Sequence, residues 1–98
     1  MVKIENLNNG SVSEYYTNKE LAIALGCFKS VREMNKWLEQ NNYIEDYYMY
    51  EKAKPLKVLK RHCLKNGFGT YEIDSYGAKI IWSQKGLNDI KKVLNKDK

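Results

Sequence analysis

Arg32, Lys36 and Gln40 recur at i, i+4 and i+8 of one apolar-periodic stretch, with Asn35 on the flank. Side chains so spaced share the solvent face of a helix. These types read bases: Arg can bond guanine bidentately in the major groove, and Asn or Gln can bond adenine. Lys29, just before the stretch, is placed to reach a phosphate. Glu33 and Glu39 lie near the same face and would repel a nucleic-acid backbone. An ordinary solvated helix face is the alternative reading. A second basic set follows, with Lys57, Arg61 and Lys65 at i, i+4 and i+8 and Lys60 beside them. Three or four phosphate contacts there would give a salt slope of about −3, which is affinity without sequence preference.

Catalytic chemistry finds little footing. The one histidine, His62, adjoins Cys63 on a stretch whose apolar period includes the cysteine. Neighbours on a helix point about 100° apart, so they are not expected to converge as a nucleophile and base. No Gly-rich phosphate loop, metal-ligand spacing or nucleophile elbow is present. Glu20 and Glu33 are accounted for by helix capping. No enzyme activity, cofactor or metal is expected.

The 98 residues make a single small domain. A composition 43% hydrophobic and 30% charged excludes disorder. No run approaches a membrane span, and no apolar signal core opens the chain. Two cysteines, Cys27 and Cys63, are too few for a disulfide scaffold. The expectation is a cytoplasmic protein with reduced thiols and no membrane partner. The net charge of +5 is uneven: −2 through residue 50 and +7 beyond it, with six bases and no acid between Lys52 and Lys65. Such a patch is the footprint of nucleic-acid binding or simply a solubilising surface.

The elements that must position these residues are partly marked. Residues 1–14 read as a tail or a marginal hairpin turning at Asn9-Gly10. Residues 15–98 read as one domain. Thr17-Asn18-Lys19-Glu20 is a capping box, followed by an almost wholly apolar stretch to Leu25, which implies a helix buried on most sides, and by Gly26 as its stop. Ser30-Val31-Arg32-Glu33 is a second box, and Val31, Met34, Trp37 and Leu38 make one apolar face ending near Asn41-Asn42. Two capped helices joined across Gly26–Lys29 form a helix-turn-helix. Tyr43–Tyr50 suggests extended structure around a turn at Glu45-Asp46. Its tyrosines either pave a partner surface or fill a thin core with their hydroxyls at the rim. Pro55 suits the first position of a third helix closing at Asn66-Gly67, with Leu56, Leu59 and Cys63 on one side and Lys57, Arg61 and Lys65 on the other. Phe68–Trp82 reads as a hairpin tipped by Asp74-Ser75-Tyr76-Gly77, with Tyr76 and Lys79 as its only contacts for a backbone. Ser83 then caps a last helix with Leu87, Ile90, Val93 and Leu94 inward. The fold class expected is α+β: a winged helix-turn-helix with a helical core, a C-terminal hairpin wing and a final helix.

With these elements placed, the chain resembles the C-terminal domain of phage antirepressors, the KilAC type, from about Tyr16 to Leu94. The resemblance rests on Thr17-Asn18-Lys19-Glu20-Leu21-Ala22 through Leu25-Gly26, followed by Trp37-Leu38-Glu39-Gln40-Asn41-Asn42-Tyr43-Ile44. It continues in Pro55 leading to Gly67-Phe68 and Tyr71-Glu72-Ile73, then in Lys79 and Trp82-Ser83-Gln84-Lys85-Gly86-Leu87. The segment from Pro55 to Gly67 is longer and more basic than is usual in that family. The resemblance implies a module of phage or prophage gene control. Its partner would be double-stranded DNA, or else a repressor or another phage protein, and a homodimer would suit either.

Overall fold

The computed structural model describes residues 1–96. Among them the chain is α+β, with four helices and three two-stranded antiparallel hairpins. The first hairpin pairs β1 (Val2–Glu5) with β2 (Val12–Tyr15). Its loop is longer than a two-residue Asn9-Gly10 turn: the Asn6 N–H donates to the Ser11 carbonyl at 2.8 Å. The hairpin is fastened to the body where Tyr16 and Trp82 exchange both backbone hydrogen bonds, at 2.7 and 2.8 Å.

Helix α1 (Asn18–Leu25) starts at a complete capping box. Thr17 Oγ1 accepts from the Glu20 N–H at 3.2 Å, and Glu20 Oε1 accepts from the Thr17 N–H at 3.0 Å. The amine of Met1, 2.7 Å from Glu20, and then the Thr17 N–H hold the Glu20 carboxyl down at about 2. Gly26, at φ 71°, ends α1 in the left-handed conformation that glycine adopts without steric cost. The helix is buried on one side only. Leu21 is in the core, but Ile23 is 72% exposed, because this short helix lies at the surface rather than within the body.

Helix α2 (Val31–Gln40) buries Met34 and Leu38, with Val31 and Trp37 half-buried beside them. Ser30 Oγ accepts from the Glu33 N–H at 3.1 Å. The reciprocal bond is displaced by one residue: Glu33 accepts from the Lys29 N–H at 2.9 Å, not from that of Ser30.

The next segment departs from the sequence expectation. Glu45 and Asp46 are not a turn but lie mid-strand in β3 (Ile44–Tyr47), which pairs with β4 (Leu56–Leu59). Pro55 precedes that strand and opens no helix. The helical part is only α3 (Arg61–Lys65). Cross-strand pairing supplies the reason: Asp46 faces Lys57, and Ile44 faces Leu59 with both buried. The expected stripe of Lys57, Lys60, Arg61 and Lys65 on one helix therefore does not exist. Tyr43 is buried, whereas Tyr47, Tyr48 and Tyr50 are exposed, so the core takes only the first of that group.

The third hairpin, β5 (Gly69–Asp74) with β6 (Gly77–Trp82), has the expected register, and Tyr71 opposite Ile80 lies on the same face as Gly69 opposite Trp82. Ile80 and Trp82 reach the core, while Ile73 near the tip extends beyond it. Ser83 Oγ accepts from the Gly86 N–H at 3.0 Å at the start of α4 (Gln84–Lys96) and donates to the Gly67 carbonyl at 2.6 Å. Leu87 and Ile90 are buried, and Val93 and Leu94 pack against the same core.

Helix α4 also comes very close to the chain entering β5. A Cβ placed on Gly86 would sit 2.1 Å from the Phe68 carbonyl oxygen, a backbone atom that cannot step aside. Alanine is intrinsically the better helix former by about 1 kcal/mol. The clash outweighs that gain, and Gly86→Ala is expected to lower the unfolding free energy by about 1–3 kcal/mol in urea titration. An unchanged or raised midpoint would mean that α4 does not rest on Phe68.

Candidate nucleic-acid interface

Burial of Met34 and Leu38 turns the opposite side of α2 outward. Arg32, Lys36 and Gln40 are exposed there, and Asn35 is half-buried on the flank, as the helical spacing predicts. Three shallow grooves adjoin at this face. One, of about 430 Å³, runs between the start of α1, β4 and the β5–β6 hairpin, and includes Lys19, Leu56, Lys57 and Lys79. A second, also about 430 Å³, follows α2 past Arg32, Asn35, Lys36 and Glu39 to Lys57. The third, about 290 Å³, lies at the α1–α2 turn with Lys19, Lys29 and Val31. Lys57 belongs to the first two, Lys19 to the first and third, and Val31 to the last two. The grooves are therefore one continuous surface.

The cations on it fall into two kinds. Lys57 donates to Glu39 and, at 2.5 Å, to Asp46. Asp46 first and Glu39 second raise its ammonium above the ordinary lysine range. Lys57 thus joins β3, β4 and α2 and is not a free phosphate ligand. Lys79 lies 3.3 Å from Asp74, whose carboxylate is held low first by the Tyr76 N–H and further by Lys79. Lys19, Lys29, Arg32 and Lys36 have no acidic partner among the described residues.

Lys29, Arg32, Asn35, Lys36, Lys57 and Lys79 are thereby brought together from the sequence-predicted set. Gln40 is exposed on α2 but lines none of the three grooves. Lys60 pairs with Glu45 at 3.4 Å. Arg61 and Lys65 line a separate concavity with His62 and Leu64. Sequence reasoning missed Lys19, which it treated only as an interior position of the capping box. The uneven charge along the chain does not carry over to this surface, because its unpaired cations all come from the more acidic half.

Beneath the surface, Phe28, Trp37, Tyr43 and Trp82 form a chain of ring contacts with centroids 5.9–6.5 Å apart. The Tyr43 hydroxyl donates to Asp89 at 2.8 Å, and burial first, then that carboxylate, push its ionisation well above the usual range. The Cys63 sulfur lies 3.9 and 3.8 Å from the two nitrogens of His62, nearer than helical neighbours were expected to come. The distances are nearly equal, so no single directed S–H···N bond activates the thiol. Burial, and then the Asp89 charge, push it up to about 11. Among the described residues, no three His, Cys, Asp or Glu side chains converge as metal ligands, and no helix is long and apolar enough to cross a membrane.

Comparison with protein-family models, curated proteins and solved structures finds no match to this chain.

The contrast between the two thiols is directly measurable. Iodoacetamide at pH 8 should alkylate exposed Cys27 and leave buried, protonated Cys63 intact until the protein unfolds. Intact-mass spectrometry reads the result, and rapid double labelling of the native protein would contradict the burial described.

Proposed function

We propose that this chain is a small duplex-DNA-binding regulatory protein of the winged helix-turn-helix type, similar in role to the phage antirepressor domain that its sequence resembles. In this reading α1 and α2 are the helix-turn-helix, β5–β6 is the wing, and α2 enters the major groove. The carrying observation is the continuous surface on which four unpaired cations, Lys19, Lys29, Arg32 and Lys36, surround the exposed face of α2. Arg32, exposed, and Asn35, half-buried on the flank, are the base readers, because both line the groove along α2 and have bidentate hydrogen-bonding capacity. Lys19, Lys29 and Lys36 neutralise phosphates and set register. Lys57 orients α2 against the β3–β4 hairpin. Lys79, tied to Asp74, allows the wing to rest on the backbone and gives it no deep reach.

The other reading is a module that docks on a repressor or another phage protein. An uncovered apolar stripe on α4 would favour it, but Leu87 and Ile90 are buried and Val93 and Leu94 pack on the core. The exposed tyrosines are on its side.

Fluorescence anisotropy with labelled duplex DNA across a salt series tests the proposal. Wild-type affinity should fall with a log–log slope of about −3. Arg32→Ala with Lys36→Ala should make that slope shallower by about 1–2 and weaken the preferred sequence more than random duplex. Absence of duplex binding at low salt overturns the proposal.

A further inference from the structure

Tyr47, Tyr48, Met49 and Tyr50, 56–70% exposed, form the longest consecutive run of large apolar side chains left uncovered. They occupy the end of β3 and the loop into β4. The loop turns back through an Ala53 N–H bond to the Tyr50 carbonyl at 3.0 Å. Its two lysines, Lys52 and Lys54, are exposed and have no acidic partner among the described residues, and Glu51 is its one acid. Tyr47 lies directly across the strand pair from Leu56, which is itself half exposed and lines the groove holding Lys19 and Lys79. The aromatic run is thus continuous with the surface assigned to DNA.

We propose that this loop is a stacking platform for unpaired DNA bases. The proposal rests on the duplex-binding reading and extends it: a strand leaving the duplex past the groove of Lys19 and Lys79 meets Tyr47 and then Tyr48 and Tyr50. Aromatic faces stack on any base, and the lysines that follow them, Lys52 and Lys54, neutralise the backbone that carries the bases. Charge complementarity selects this occupant. Lysine is depleted at ordinary protein–protein interfaces, whereas a polyanion is held by free cations beside the aromatic faces. Binding of single strands by such a platform is tolerant of sequence and sensitive to salt.

The test compares three probes by anisotropy at low salt: a blunt duplex, the same duplex with a single-stranded overhang, and a short oligothymidylate. Variants are Tyr48→Ala with Tyr50→Ala, and Tyr48→Phe with Tyr50→Phe. Both tyrosines are exposed, so thermal melts should match wild type. The overhang should tighten wild-type binding. The alanine pair should weaken oligothymidylate about tenfold or more, leave blunt duplex within about twofold, and be rescued by the phenylalanine pair. If blunt duplex binds but the overhang and oligothymidylate add nothing, the platform is wrong and the duplex reading stands. If no probe binds, both fall. If sedimentation shows a wild-type dimer that the alanine pair dissociates, the loop is an interface between copies and the platform is overturned.

Discussion

The indole of Trp82 must be buried and its N–H must be paired, and these two requirements join the separate pieces of the molecule. Nε1 donates to Asn18 Oδ1 at 2.8 Å, which fixes the start of α1. The Trp82 backbone exchanges hydrogen bonds with Tyr16, which fixes the first hairpin. Its ring meets Tyr43 edge-on at 6.5 Å, which fixes the chain leaving α2. The next residue, Ser83, caps α4. Burying an indole contributes of order 5 kcal/mol, and leaving its N–H unpaired costs about 1–3 kcal/mol. Burial therefore dominates, while the Asn18 bond sets the angle at which α1 arrives. Three small hairpins with little area of their own depend on such a junction to form one body.

That junction has a consequence for the surface. With α1 anchored through Asn18, the neighbouring Lys19 points into the groove beside the β5–β6 hairpin. With α2 held through Met34 and Leu38, its Arg32 and Lys36 face outward across Lys57. Lys57 then matters through position rather than charge, since Glu39 and Asp46 already satisfy it. Exposed ion pairs contribute at most about 1 kcal/mol each, so this cluster is better understood as orienting α2 against β4 than as a source of stability.

What could be read from the sequence was local. The box at Thr17, the Ser30 N-cap, the Gly26 stop, the Ser83 cap and the apolar face of α2 all lie within one turn of the residues that signal them. The β5–β6 register was equally legible, because Asp74 to Gly77 closes a short tip between alternating strands. The segment around Leu56 was not. Leu56, Leu59 and Cys63 match a helical period, yet they belong to a strand and a separate short helix. The deciding partners, Ile44 and Asp46, are more than ten residues away. The same nonlocality hid Lys19 from the candidate set and separated Arg61 and Lys65 from it. The tyrosine loop was ambiguous because one residue type serves both core and surface. Of that group only Tyr43 is buried, and its hydroxyl is paired with Asp89.

The most direct test of the proposed DNA-binding surface is a residue-resolved amide NMR titration with a short duplex. The shifts should concentrate at Lys19, Lys29 and the exposed face of α2 from Arg32 to Lys36, with smaller changes at the β5–β6 tip. The exposed lysines of α4, Lys85, Lys91, Lys92 and Lys96, serve as the internal comparison. Perturbations centred on α4 or α3, or none at all, would contradict the account.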